Sequence, residues 1–457
     1  MNNEIKIEKS KEQKPSAYFL SLTIENIRCF GPEQTLDLSD GNGCPAQWTV
    51  ILGDNGTGKT TLLQCLAIIE PVLQHFPRRP IPESFYKGEN ELLISATIIS
   101  RYKLSGYNKE TLVGKFEIFS DELYKSVKTQ IITDRKLSSC SPERTPIVID
   151  NCDLTCHSYG ATRRIGYGSL TDKEQHDPIA SLFDDVALIN AEEWLLQLDY
   201  AANKPSNIQQ KFKKKFDQVK EILINILPGV EDINITIPSE EKPNPKVEFK
   251  TDYGWVSIKN LSLGYKTMIA WIADLARRLF ERYPGSPDPI AEPAVVLIDE
   301  IDLHLHPKWQ RDLMNFLSTR FINTQFIVTA HSPLVVQSVP GDGHSDSRIN
   351  IVVLKQEQDH VVIKKEEQSV RGWRIDQLLA SELFGVSTYP EELEKMLDER
   401  RKILGKAKIG RNDKKRLKEL ESQIGYLPTA EKPEDIEAME IIRSAALHLT
   451  QDKGKTL

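Results

Sequence analysis

Hydrophobic and polar positions along the chain sort into three kinds of segment. Short unbroken apolar runs stand at 48–52 (WTVIL), 294–298 (AVVLI) and 326–330 (FIVTA). Runs of this length with no polar face suit strands buried on both sides of a parallel sheet. Helical spacing follows the first run at 61–69 (TLLQCLAII), recurs after residue 264, and fills 178–230 with several amphipathic stretches. Alternating segments form the third kind. YFLSLTIENIRCFG at 18–31 predicts a strand entering a turn, and VEFKTDYGWVSIKN at 247–260 predicts a β-hairpin with Tyr253 and Gly254 in its turn. A second hairpin is predicted beyond 341, followed by short helices over 374–397 and one long helix over the basic stretch 399–421.

What lies between the first apolar run and its helix carries chemistry. GDNGTGKT, Gly53 to Thr60, matches G-x-x-x-x-G-K-[ST] in the strand–loop–helix setting that a phosphate-binding loop requires. Gly53, Gly56 and Gly58 let backbone amides approach phosphate oxygens without a Cβ in the way. The helix beginning near Lys59 adds its positive end. Lys59 is predicted to reach the β- and γ-phosphates and Thr60 to ligate Mg²⁺, with Asn55 and Thr61 in the same binding stretch. The chain is therefore expected to bind a nucleoside triphosphate, ATP, with Mg²⁺.

The second apolar run ends in Asp299-Glu300, within AVVLIDEIDLHLHP. A central strand delivering two carboxylates at its C-terminal end places them where open α/β sheets bind ligands. Asp299 would then hold the metal and Glu300 would orient or deprotonate a water; surface acids closing a strand are the plainer reading. The third run ends in Ala-His-Ser-Pro, which brings His331 to the same edge, while Pro333 stops the strand. A lone histidine is more often structural than catalytic, so its rank after the loop and the acidic strand end is what singles it out.

Composition narrows the setting. The chain has 457 residues, 39% hydrophobic and 27% charged, ordinary for a protein of one large lobed domain or two to three domains. No apolar run of about 18 residues occurs, so no membrane span is expected. The polar, lysine-rich N-terminus predicts a disordered tail rather than a secretory signal. Six scattered cysteines form no disulfide framework, so a reducing cytoplasm is the expectation. Cys152, Cys156 and His157 cluster, but a zinc site would need further ligands. Net charge is 59 − 66 = −7, which advertises no global field for nucleic acid. The basic segments 210–221 and 399–418 are either solvated helix faces or contacts for a DNA or RNA backbone.

GDNGTGKT, LSLGYK, VVLIDE and VTAHS appear in the order Walker A, signature, Walker B and H-loop, and together they resemble ABC-type ATPase heads. Within that class the text resembles RecF- and SMC-related DNA-metabolism ATPases. DEIDLHLHP is nearer still to the overcoming-lysogenization-defect type and to AAA family ATPases of anti-phage systems, the Septu type above all. The likeness covers about 18–75 and 245–340. It implies an α/β P-loop NTPase fold with an ABC-type head, in which a mixed central sheet is flanked by helices. Expected segments are a tail at 1–17, lobe I with Walker A at 18–165 and a helical insertion at 166–245. Lobe II, with signature, Walker B and H-loop, follows at 246–340, then a closing hairpin and helical extension at 341–457.

In such heads Ser262 and Gly264 would face the γ-phosphate held by a second copy. ATP would then join two heads in a homodimer or higher oligomer. Arg28 and Asn55 match positions used around the nucleotide. Arg163 or Arg164, within CHSYGATRRIGYG, either senses nucleotide, contacts DNA or is a surface cation. Departures are equally specific. His306 stands where an aspartate is usual, so that His304 and His306 form either a dimer-contact loop or a metal pair, and no Q-loop glutamine is identifiable. The Walker A to signature gap, about 200 residues, holds no sustained heptads, so a compact helical lobe replaces long arms. No TOPRIM- or HNH-like acid and histidine pattern appears in the tail. The resemblance implies an ATP-dependent switch in anti-phage defence acting on a separate nuclease, of HNH type. The alternative is a RecF-like clamp on DNA.

Overall fold

The computed structural model describes residues 16–69, 82–86, 92–100, 112–119, 128–131, 154, 156–168, 177–237, 240, 244–338, 349–366, 370, 373–386, 389–404 and 410–424. The N-terminal tail to residue 15, Cys152 and the segment after 424 lie outside them. The chain divides into two compact units, one running to Leu378 and taking in Glu382–Phe384, the other formed by Leu379–Ser381 and residues from Gly385 onward.

In the first unit, β1 (Ala17–Glu25), β2 (Gln34–Asp37), β3 (Trp48–Gly53) and α1 (Lys59–Ile69) are followed by β4 (Leu93–Ser100), β5 (Leu112–Phe119) and β6 (Lys128–Ile131). Next come β7 (Cys156–Tyr159), α2 (Ala180–Phe183), α3 (Ala191–Asn203), α4 (Gln209–Ile226), β8 (Val230–Ile235), β9 (Val247–Thr251) and β10 (Gly254–Ser257). The 20-residue α5 (Leu263–Arg282) leads to β11 (Ala294–Ile298), α6 (Pro307–Arg320), β12 (Thr324–Thr329), α7 (Pro333–Gln337), β13 (Ile349–Glu357) and β14 (His360–Lys365). α8 (Ile375–Ala380), α9 (Glu391–Leu404) and α10 (Arg411–Ile424) end the described chain.

The central sheet runs β14-β13-β3-β12-β11-β7, parallel at every pairing except the β13–β14 hairpin. Its three apolar strands are buried on both faces, as their unbroken runs predict. Alternation then divides them between two cores. Trp48, Val50, Val296, Ile298, Phe326 and Val328 join the core built with α3, α4, α5 and α6. Ile51, Val295, Leu297 and Ile327 join the core built with α1, β1 and β4. The sheet is mixed α/β, as the sequence implies, with the antiparallel strand at one edge.

A second, antiparallel sheet (β2-β1-β4-β5-β6) covers α1. It is tied to the central sheet by Gln325, whose buried side-chain amide accepts from the Phe19 N–H and donates to the Phe19 carbonyl, both at 2.9 Å. Paired in this way, the amide satisfies two backbone groups that the ladder leaves over. The hairpin expected at 247–260 forms as β9–β10, with Gly254 at φ 105°, and β8 extends it to three strands.

One expectation changes. The basic stretch 399–421 is not one helix: α9 and α10 are separate helices within the second unit, joined by bidentate 2.8 Å hydrogen bonds from Arg416 to the Glu399 carboxylate. Gly410, a poor helix former, directly precedes the second helix. On α4, Lys220 pairs with Asp232, Lys211 donates to the Pro284 carbonyl, and Lys215 lies over the rings of Phe212 and Phe280.

Cys156 and His157 are adjacent on β7, so their side chains leave opposite faces of the sheet, and one ion could not take both. His157 is buried with neither ring nitrogen hydrogen-bonded among the described residues. Burial, aided by the nearby Arg278 and opposed by Asp274, pushes its pKa down to about 3. Below the ordinary value of 6.5 the unfolded chain therefore binds a proton that the folded chain refuses. Folding stability should fall as pH drops from about 6.5 towards 3, by up to about 1.4 kcal/mol per pH unit from this one group. Chemical unfolding of wild type and His157→Leu at pH 7.5 and pH 5 checks this. The wild type should lose stability relative to the variant at the lower pH, and an unchanged difference would refute the buried neutral imidazole.

Candidate nucleotide site

β3 delivers the chain to Gly53, and α1 begins at Lys59, so the five residues 54–58 form the loop between them. Gly53 and Gly58 are at φ 148° and 87°, and a Cβ would strike the Leu354 carbonyl oxygen (2.9 Å) at the first and Cys29 Sγ (2.6 Å) at the second. These two glycines are demanded by the chain's own packing. Gly56, at φ 82°, would meet nothing within 4 Å; with the exposed Asn55 it forms the open rim of the loop. Lys59 is 7% exposed, and its ammonium donates to the Gly53 and Asp54 carbonyls at 2.7 and 2.8 Å. Burial lowers its pKa, and the carboxylates of Asp299 and Glu300 work against that shift.

Asp299 and Glu300 follow β11 directly. Each Asp299 carboxylate oxygen accepts a hydroxyl at 2.7 Å: Oδ2 from Thr60 of α1 and Oδ1 from Thr329 of β12. Thr329 Oγ1 in turn accepts the Glu300 N–H at 2.7 Å. A hydroxyl and a carboxylate brought this close are the hard oxygen pair that suits Mg²⁺ beside phosphate, so the donor set fits that ion. Glu300 is half-buried and left-handed (φ 50°), an unusual backbone state for a side chain with a Cβ. His331 is exposed, and its backbone N–H donates to the Asp302 carboxylate at 3.0 Å, which pins the residue at the same sheet edge. Pro333 ends the strand as expected and also opens α7, whose N-cap is Ser332.

Arg163 is 2% exposed. Its guanidinium donates to the Asp299 carbonyl at 2.7 Å and to the Glu300 carbonyl at 2.8 Å, so it faces the Walker B backbone and not solvent. Burial brings its pKa to about 10, against the pull of Asp299, Asp302 and Glu300, which leaves it charged at neutral pH. Arg164 instead pairs with Asp185 at the surface. Arg28, at φ 48°, donates to Thr61 Oγ1 and Gln64 Oε1 (both 3.0 Å) and to Ser84, and lies 4.2 Å over the Phe85 ring. Arg28 and the buried Thr61 are thus engaged with each other behind the loop.

Ser262 occupies the N-cap position of α5, yet its side chain accepts no N–H from that helix. It is exposed, as is the neighbouring Leu263. Gly264 is buried, and a Cβ there would lie 2.5 Å from the His304 carbonyl oxygen. His304 is itself left-handed (φ 63°), and Tyr265 meets the Trp309 ring edge-on at 4.6 Å. The glycine of the signature therefore serves a close approach within the chain, to the loop after Walker B, which the sequence reading did not foresee. His306 caps α6, accepting the Lys308 N–H on Nδ1, and among the described residues no group of three metal-ligating side chains is assembled.

Thr329, Asp302 and the placement of Arg163 escaped the sequence reading. Thr329 left a signal: it is the one hydroxyl in the apolar run FIVTA.

Fold and site together have the layout of a P-loop α/β domain, similar to the heads of ABC-type ATPases. The family described as "AAA domain, putative AbiEii toxin, Type IV TA system" matches residues 162–337, and "AAA domain" matches 21–69. The chain is similar to the Septu protein PtuA of Bacillus mycoides (strain KBAB4), 24% identical over 403 residues, covering 85% of this chain and 48% of that one. It is 34% identical over 206 residues to the "Retron Ec83 probable ATPase" of Escherichia coli, covering 45% of this chain and 35% of the relative. Over 87 residues it is 51% identical to the "Retron Vc95 probable ATPase" of Vibrio cholerae serotype O1 biovar El Tor, 19% of this chain and 17% of the relative. The chain thus spans less than half the length of these curated relatives.

Gly264→Ala offers a clean reading of the contact with His304. Alanine inside a helix is ordinarily about 1 kcal/mol better than glycine. Here the new methyl must displace a backbone carbonyl, so a net loss of about 1–3 kcal/mol is expected in thermal or chemical unfolding. A stabilised variant would show that the loop yields freely.

Proposed function

We propose that the chain hydrolyses ATP to ADP and phosphate at composite sites between two copies, as an ATP-dependent switch. The observation that carries this reading is Ser262. A serine at a helix N-terminus with its hydroxyl unused by its own helix is a donor presented to something else. In a head-to-head dimer that something is the γ-phosphate on the partner's loop. Leu263, exposed next to it, would then be covered.

The residues of one chain divide the remaining work. Loop amides at 55–58 and the Lys59 ammonium bind the β- and γ-phosphates, and the ammonium exchanges its two loop carbonyls for phosphate oxygens. Thr60 and Asp299 would hold Mg²⁺, which when bound neutralises charge building on the phosphate oxygens. Glu300 orients the attacking water and takes its proton on the carboxylate. His331 stands at the same edge to hydrogen-bond the γ-phosphate. Likeness to PtuA and to retron ATPases supports a role in anti-phage defence. The switch would restrain or release a separate nuclease of HNH type, and nucleic acid contact would belong to the assembly.

Glu300→Gln should lower turnover by about 10²–10⁴-fold and hold ATP between two chains, shifting the oligomer on size-exclusion chromatography with light scattering when ATP is added. An oligomer indifferent to ATP would exclude the shared site. Ser262→Arg should lower turnover by about 10²-fold or more while each chain still binds a fluorescent ATP analogue. Loss of binding as well would make Ser262 a local structural residue. A neighbouring gene for an HNH nuclease whose product co-purifies with this chain supports the defence role, and neighbours confined to replication or repair would overturn it.

A further inference from the structure

We propose that Arg163 is the positioning residue of this site: its guanidinium clamps the peptide carbonyls on both sides of the Glu300 Cα and so decides where the Glu300 carboxylate stands. The proposal rests on the ATPase reading above.

Three observations carry it. The two carbonyls that Arg163 holds belong to successive residues just past the end of β11, whose parallel register with β7 closes at Ile298 opposite Tyr159. At that point the backbone turns left-handed at Glu300. A non-glycine residue in that region is strained and persists only where its surroundings over-determine it. Here the surroundings are specific. The Glu300 N–H is taken by Thr329 and its carbonyl by Arg163, so the peptides on both sides of its Cα are held. With both held, the direction of the side chain leaving that Cα is set.

Arg163 is itself firmly seated. Gly160 and Gly166 flank it, and a Cβ at either would lie 2.1 Å from the Ser181 carbonyl oxygen or 2.2 Å from that of Leu188. Between them Leu188 N–H donates to the Arg164 carbonyl at 2.8 Å, and Gly166 N–H donates to that of Ile189 at 3.2 Å. The glycines let the segment lie directly on 181–189, which locates the arginine with respect to the sheet edge.

The residue type follows from the task. Two carbonyls on successive residues call for two donors in a fixed plane, which guanidinium has and ammonium lacks. The cation also sits among Asp299, Glu300 and Asp302, whose charges compensate its burial. Its burial removes it from the role of phosphate or DNA contact.

The test uses the full chain with Mg-ATP, steady-state turnover and binding of a fluorescent ATP analogue. Wild-type turnover and its loss in Glu300→Gln come first. Failure there removes the ATPase reading itself and is distinguishable from anything Arg163 does. Given that control, Arg163→Lys should leave nucleotide affinity within about twofold and lower kcat by about 10–100-fold, the scale of a displaced catalytic group. Arg163→Met should lower kcat further. The decisive measurement is the cycle with Glu300→Asp, which displaces the carboxylate by a different route. If Arg163 acts through Glu300, Arg163→Lys should lower kcat far less in that background than in wild type. Equal losses in the two backgrounds would overturn the proposal, as would a fall in affinity that matches the fall in kcat. If Arg163→Met does not fold, Arg163→Lys decides alone. Unfolding of the lysine variant at assay temperature would make Arg163 a residue of folding and overturn the proposal too.

Discussion

One carboxylate organises the centre of this structure. Asp299 is 6% exposed, and an ionised group so far from water is tolerated only where partners replace its hydration. Both oxygens are met by hydroxyls, Thr60 from the helix after the phosphate loop and Thr329 from the neighbouring strand. The pair of bonds holds α1, β11 and β12 to one geometry at the C-terminal edge of the sheet. Everything with candidate chemistry is measured from there. Lys59 feels its charge, Glu300 is the next residue, and Thr329 relays its position to the Glu300 N–H.

Around that carboxylate, backbone does much of what side chains were expected to do. Gly53 and Gly58 are needed for close packing behind the loop, whereas Gly56 alone opens outward. Gly264 allows α5 to rest on the carbonyl of His304, and Arg163 takes the carbonyls of Asp299 and Glu300. The turn after β11 is thus gripped at both ends. Two of its residues, Glu300 and His304, are left-handed, and that backbone is held by hydrogen bonds and packing from residues 136 or 40 positions away in the chain.

Legibility in the sequence followed physical range. β3, β11 and β12 were readable because a strand buried on both faces must be apolar throughout, and no partner needs to be known to see that. Lys59 and Thr60 were readable because the phosphate loop is local: eight consecutive residues carry the spacing, the glycines and the helix start. The basic stretch 399–421 was misread as one helix because charge was weighed and the poor helix former Gly410 was not. Arg28 and Thr61 were assigned to nucleotide from position alone, and the fold shows them hydrogen-bonded to each other.

By itself, then, the sequence determined the parallel apolar strands, the phosphate loop and the residue types at the acidic strand end. Each of these is dictated by solvent exclusion or by chemistry within a few neighbouring residues. Only the tertiary structure decided that Arg163 is a buried clamp and not a surface cation, that Thr329 links the two acids, and that Gly264 first accommodates its own chain. The reason is that a hydrogen bond or close contact between residues 30, 40 or 136 positions apart leaves no period in the sequence. The same arginine reads identically whether it faces solvent or a carbonyl, and burial is what separates the two.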